Sequence, residues 1–313
     1  MNLQNYKSNF SQKHLLTLQS YSKEEIMLII SLAQELKSKG KNTLDICKGK
    51  TLAMIFTKPS TRTRVSFEVG ISQLGGRPMF LSSNDLQLGK SETIEDTAKV
   101  LSRMVDGIMI RTFLQSDVEA LAENGTIPII NGLTDDFHPC QALADILTYY
   151  ENKKTFTGKI TFLGDGNNVA NSLMLICSKL GLDFAIASPK NYEPTQKVIN
   201  WALENAKVSG SKITISNDPI EAAKDADCIY ADVFASMGQE SEKAERLKIF
   251  KPYQVNDDIV SHAKPDYIFM HCLPAHRGEE VTSSIIDGAH SVVFDEAENR
   301  LHAQKAVLAL LMG

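Results

Sequence analysis

No apolar run in this chain approaches the roughly 18 to 20 residues that cross a bilayer, so a membrane-spanning helix is not expected. Cysteine is sparse. Its five residues, Cys47, Cys140, Cys177, Cys228 and Cys272, are odd in number, scattered, and contain no C-x-x-C pair. That pattern argues against a disulfide framework and a zinc module and suits a reducing compartment. The opening Met1-Asn2-Leu3-Gln4-Asn5 lacks a basic region followed by an apolar stretch, so no signal peptide is expected. Charge of one sign is lacking too: 33 Lys plus Arg against 38 Asp plus Glu give a net charge of −5. This offers no general field for nucleic acid or an anionic membrane, and any anion site has to be built locally. Internal repeats and low-complexity tracts are absent. What remains is the reading of a cytoplasmic enzyme.

The chain has 313 residues, 43% of them hydrophobic, enough at about 150 residues per domain for two cores. Ser22-Lys23-Glu24-Glu25 is a capping box, followed by apolar residues at helical spacing as far as Gly40. Short apolar runs bounded by turn residues come next, at 52–56, 79–81, 107–110 and 127–130. Helical stretches near 61–74, 93–104 and 118–123 separate them. The pattern restarts with runs at 160–163, 184–187, 213–215, 228–231, 268–270 and 291–294. A long helix begins near His138, and an Ala- and Leu-rich helix covers about 297–311. Strands of four to six residues with helical crossovers predict an α/β chain of two doubly wound parallel-sheet domains joined by long helices. The expected boundaries are 1–147, with the helix 297–313 packing back on it, and 148–296. In such folds ligands bind at the C-terminal ends of strands.

Several strand ends carry polar clusters. Thr57-Lys58-Pro59-Ser60-Thr61-Arg62-Thr63-Arg64 follows an apolar strand and opens a helix, with Ser60 or Thr61 as the N-cap. Backbone N–H groups, the hydroxyls of Ser60, Thr61 and Thr63, and the Arg62 guanidinium would converge there on an anion, as a phosphate requires. Arg111 follows another strand. In Phe137-His138-Pro139-Cys140-Gln141, Pro139 suits the first helical position. His138 and Gln141 are then three apart, able to polarise a carbonyl and grip an amide. Asp232, after the run at 228–231, could pair with an ammonium group. In His271-Cys272-Leu273-Pro274 a strand ends in a constrained turn whose Cys272 and Leu273 carbonyls could accept from a ligand NH2.

Two motifs imitate nucleotide sites and fail. Gly164-Asp165-Gly166-Asn167-Asn168-Val169 has the start of a dinucleotide fingerprint, but Val169 holds the third glycine position. The next strand ends in Ala187-Ser188-Pro189 without an acid for a ribose. Gly89-Lys90-Ser91 ends like a Walker A loop, but Asn84 stands at the first glycine position. A nicotinamide enzyme or a phosphate-loop NTPase is therefore disfavoured, and ATP binding would test the latter.

Taken in order, Ser60-Thr61-Arg62-Thr63-Arg64, His138-Pro139-Cys140-Gln141 and His271-Cys272-Leu273-Pro274 resemble the carbamoyltransferase family over nearly the whole chain. The Asp232…Ser236-Met237-Gly238 loop and the Cys272 turn are similar to its ornithine-using members. Aspartate-using members would show a histidine-proline-leucine-proline turn.

This resemblance implies transfer of the carbamoyl group of carbamoyl phosphate to the δ-amine of L-ornithine, giving citrulline and phosphate. Ser60, Thr61, Arg62 and Thr63 would hold phosphate, while Arg111, His138 and Thr63 would face the developing oxyanion. Gln141, Cys272, Leu273 and Arg300 would orient the carbamoyl amide. Asn168, Asp232, Ser236 and Met237 would hold the amino-acid end of ornithine, with Arg111, His138 and Cys272 as the catalytic set. Cys272 is the polar neighbour expected beside the amine, which must lose its proton to attack. The resemblance also implies a homotrimer in which Gln87 reaches a neighbouring subunit's site. No metal, nucleotide or other cofactor is implied.

Overall fold

Leu52 to Phe56, the first apolar run, is buried along its whole length in strand β1 (Thr51–Phe56) of the computed structural model. The structure describes residues 3–82, 86, 91–235 and 240–313. They fall into two units: 1–147 with 298–313, and 148–297. In the first, β1 lies between β2 (Arg77–Ser82) and β3 (Gly107–Arg111), and β4 (Ile129–Leu133) pairs with β3. The order is β2-β1-β3-β4 and every pairing is parallel. All five residues of β3 are buried, as a central parallel strand covered on both faces demands. β2 is an edge strand and correspondingly exposed. Ala53, Ile55, Ile108, Ile110, Val118, Leu121 and Ile129 form one buried cluster of this unit.

The second unit repeats the plan with β5 (Lys159–Leu163), β6 (Asp183–Ala187), β7 (Ile213–Ser216), β8 (Cys228–Ala231) and β9 (Ile268–His271). Its order is β7-β6-β5-β8-β9, again all parallel. Leu163, Ile229, Phe234, Phe250, Phe269 and Val293 belong to its core. Truncating a fully buried side chain such as Phe269 to alanine would cost about 3–5 kcal/mol.

Each sheet has one place where the strand order reverses, between β1 and β3 in the first and between β5 and β8 in the second. Crossovers leave in opposite directions at that point and open a crevice at the carboxyl ends of the strands. The strand expected at 291–294 does not form. Ser291 makes a single bridge to Phe269, and the helix Val293–Met312 starts directly afterwards. Asp295 and Glu296 in its first turn, favourable at a helix N-terminus, override the short Val292-Val293-Phe294 run. No helix among the described residues is long and apolar enough to cross a membrane.

Candidate active site

At the reversal point of the first sheet, Phe56 and Arg111 are register partners. Arg111 is the last residue of β3 rather than the first beyond it. The chain leaving β1 is tied to it at once, because Thr57 N–H donates to the Arg111 carbonyl at 2.9 Å. Lys58 is buried, paired with Asp135, and lies 4.1 Å from the Phe113 ring centroid. Ser60 then takes an extended backbone and caps the helix Thr61–Gln73, its Oγ accepting from Thr63 N–H at 3.2 Å. Thr61 is exposed, Arg62 half-buried and Thr63 buried. Pro139 opens the helix Pro139–Lys153, and the His138 carbonyl accepts from Gln141 N–H at 3.1 Å.

Arg300 lies on the helix Val293–Met312 and is buried. Its Nη1 donates to Gln141 Oε1 at 2.7 Å and its Nη2 to Thr63 Oγ1 at 3.3 Å, joining three sequence-predicted residues. Two residues given no role in the sequence reading complete this network. Gln141 Nε2 donates to Asp145 Oδ1 at 2.8 Å. Gln304, one turn beyond Arg300, places its oxygen 3.2 and 2.9 Å from Arg300 Nε and Nη2 once its carboxamide is oriented to satisfy its neighbours. The i,i+4 spacing of Arg300 and Gln304 was the available signal.

His138 is fully buried, and burial holds its imidazole well below the usual histidine range. The positive charges of Arg300, Arg111 and Arg62 push it further the same way. A neutral imidazole among guanidiniums, beside two helix starts, suits an anionic ligand whose carbonyl needs hydrogen bonds rather than a proton. Cys140, next to it, donates to Asn131 O at 3.4 Å, and burial pushes its thiol up to about 12, which makes it inert.

In the second unit, Leu163 and Ala231 are register partners at the reversal point. Beyond β5, Gly164 has a φ of +136°, and a Cβ on Gly166 would stand 2.2 Å from Pro194 N. Both glycines of the imitation fingerprint thus serve the loop's own packing. Asn167 caps the helix Asn168–Leu180, accepting from Val169 and Ala170 N–H at 3.0 and 3.1 Å. Its Nδ2 donates to Asp232 Oδ2 at 2.7 Å. Asp232 Oδ1 accepts from Val233 N–H at 2.8 Å and from the Cys272 thiol at 3.0 Å. The carboxylate and thiol predicted to serve ornithine are therefore in direct contact, and Asn168 is the first residue of the adjoining helix. Asp165 pairs with buried Arg246, whose Nε donates to Phe234 O at 2.5 Å. Burial raises the Asp165 pKa, and Arg246 only partly offsets it. Leu273 has a φ of +56° and the Leu273–Pro274 peptide is cis.

Asn167, Arg246, Glu280 and Glu296 were given no role from sequence: Asn167, Arg246 and Glu296 each bond to a residue at least 25 positions away, and Glu280 meets His271 only across a turn of nine residues. Gln87, Ser236 and Met237 lie outside the described residues.

Two family models match the chain. Residues 13–151 match the aspartate/ornithine carbamoyltransferase carbamoyl-P binding domain, and residues 157–311 match the Asp/Orn binding domain of the same family. The chain is 60% identical over 304 residues, 96% of each chain, to an ornithine carbamoyltransferase of Pyrococcus abyssi. It is also 60% identical to that of Bacillus subtilis over 301 residues, 96% of this chain and 94% of the relative. Among solved structures, ornithine carbamoyltransferase from Pyrococcus furiosus superposes with a TM-score of 0.93 at 59% identity, covering 96% of this chain and 97% of that one. The anabolic enzyme from Campylobacter jejuni gives 0.91 at 42% identity, covering 96% and 99%. With both family domains matched, over residues 13–151 and 157–311, and relatives 60% identical over 96% and 94% of their length, the chain belongs to the aspartate/ornithine carbamoyltransferase family.

Proposed function

We infer that this chain transfers the carbamoyl group of carbamoyl phosphate to the δ-amine of L-ornithine, giving L-citrulline and phosphate in arginine biosynthesis. The carrying observation is the neutral, buried His138 held among Arg62, Arg111 and Arg300 at the carboxyl ends of β1 and β3. We assign carbamoyl phosphate to the first unit, with Ser60, Thr61, Arg62 and Thr63 on its phosphate. Arg111, His138 and Thr63 take the carbonyl oxygen. Gln141, Arg300, Cys272 and Leu273 orient the amide, and Gln87 adds a contact. Ornithine is assigned to the second unit, through Asn168, Asp232, Ser236 and Met237.

The amine lone pair attacks the carbonyl carbon and charge builds on its oxygen. Arg111 and the neutral imidazole donate to that oxygen in a site already arranged for it. The bond to the phosphate oxygen then breaks, and phosphate leaves into the helix N-terminus beside Arg62. One amine proton ends on the departing phosphate, which balances the reaction. Cys272 Sγ, already bonded to Asp232, is the polar group offered to the amine.

Incubation with carbamoyl phosphate and, separately, ornithine, putrescine, aspartate or acetylornithine tests the reading. Citrulline from ornithine, with the other acceptors far slower, is expected. Carbamoyl-aspartate as the main product would overturn it.

We further propose a cytoplasmic homotrimer with shared sites, Gln87 crossing to a neighbour. Arg62→Ala and Gln87→Glu chains, each inactive alone, should regain activity when refolded together, because some sites then receive two intact halves. Mixed trimers as inactive as their parents would place Gln87 in its own subunit's site.

A further inference from the structure

Strand β9 ends at His271, whose side chain is completely buried. Its Nδ1 lies 2.9 Å from the backbone N–H of Leu273, a group that only donates, so Nδ1 presents a lone pair. The ring proton is then on Nε2, which faces Glu280 Oε1 at 3.2 Å. Glu280 is buried as completely, and the same oxygen accepts from the His276 backbone N–H. Burial would raise the Glu280 pKa, but the bonds from His271 and from His276 N–H outweigh it, and the carboxyl is held below its usual range. A second carboxylate fixes the other end of the residue: His271 N–H donates to Glu296 Oε2 at 2.8 Å, and Glu296 Oε1 accepts from Tyr230 OH at 3.0 Å. Two buried acids thus converge on the residue from which the Cys272 turn departs.

The Leu273 N–H and the Cys272 carbonyl belong to one planar trans peptide, so they point in opposite directions. Pinning the N–H to His271 aims the carbonyl the other way. Leu273 itself adopts a left-handed φ of +56°, which non-glycine residues rarely take. We propose that Glu280, acting through the tautomer of His271, is a positioning residue that sets the direction of the Cys272 carbonyl and so its grip on the carbamoyl NH2. The proposal rests on the functional reading above.

Four variants and one spectrum test it. Asparagine places its side-chain oxygen near the position of histidine Nδ1, whereas glutamine reaches the position of Nε2. His271→Asn therefore keeps an acceptor for Leu273 N–H, and Glu280→Gln keeps an acceptor for His271 Nε2. His271→Gln and Glu280→Ala each break the chain. The breaking pair should lose roughly ten- to hundredfold in kcat, with the ornithine KM within about threefold, while the conserving pair stay within about fivefold of wild type. With 15N-labelled histidine, His271 should show a protonated Nε2 in the wild type and a protonated Nδ1 in Glu280→Ala. Equal kcat losses in all four variants, per folded enzyme by circular dichroism, would mean His271 and Glu280 only fill space. A wild-type Nδ1–H signal would also overturn the proposal. Absence of citrulline from the wild type would instead defeat the functional reading, and the 15N signals would still decide the Glu280–His271–Leu273 chain.

Discussion

At the reversal point of the first sheet the buried charges around His138 are guanidiniums; at that of the second, Asp165 and Arg246 cancel as a pair and leave the Asp232 carboxylate. Arg111 and Arg300 are buried around a histidine that burial and their charge keep neutral. Asp232 is buried among Asn167 Nδ2, Val233 N–H and the Cys272 thiol. The same α/β plan therefore presents opposite fields at equivalent positions, and the charge is set by a few residues at strand ends rather than by the sheets. Each charge is also supported differently. Arg300 is held by side chains, Gln141, Thr63 and Gln304, whereas Asp232 draws partly on its neighbour's backbone.

The largest effect that would sharpen this contrast is at Arg62. Arg62→Lys retains the charge but loses the planar fork, and kcat/KM should fall on the order of 10²- to 10⁴-fold if geometry counts at the cationic end. Near-normal rates would leave Arg62 as a mere neighbour of the helix start. At the anionic end, Asp232→Ala should cut the preference for ornithine over putrescine by roughly 10²- to 10³-fold, since only ornithine brings an amino-acid end to satisfy. Wild-type rates equal for the two amines would remove Asp232 from acceptor recognition.

Gln304→Leu probes the supports. It leaves a buried guanidinium short of an acceptor, and kcat/KM should drop roughly ten- to hundredfold, the cost of an unsatisfied charged donor. An unchanged rate would show that Gln141 and Thr63 suffice. The smallest effect is on stability. His138 has a depressed pKa in the folded state, so below about pH 6.5 the unfolded chain binds a proton that the native chain refuses. Stability should therefore fall with falling pH from that point, His138 contributing at most about 1.4 kcal/mol per pH unit. Urea unfolding of His138→Gln should show a shallower acid slope than wild type, and parallel slopes would mean that His138 charges freely in the native state.

Much of this was legible in the sequence because it is local. The runs at 52–56 and 228–231, the Ser60 cap and Pro139 at a helix start follow from periodicity and from groups a few residues apart. The misread run at 291–294 shows the limit, since three apolar residues fit a strand or a helix equally and the acids just after them decide. Strand β4 was expected at 127–130 but runs to Leu133, through Asn131 and Gly132. Asn131 is tolerated in the sheet because its Nδ2 donates to Leu16 O at 2.9 Å and to Gln115 Oε1 at 3.2 Å. No local pattern announces bonds across 115 residues. The chemical groups behaved alike: Asp232 and Cys272 stood out as polar residues at strand ends, while nothing local marks Glu280 and Glu296, which are completely buried.

The first unit takes its last helix from residues 298–313, far along the chain from its sheet. That helix is fastened to early segments by Lys37 Nζ on Asn299 Oδ1 and by Lys305 Nζ on Gln73 Oε1, both at 2.8 Å. During translation, therefore, the nascent chain makes the four strands of this unit long before it makes Arg300. The second unit, continuous in sequence, can close first, while the first waits with an apolar face uncovered and its guanidinium cluster one member short. Released chains truncated before residue 298 should remain protease-sensitive in the first unit while the second is already protected.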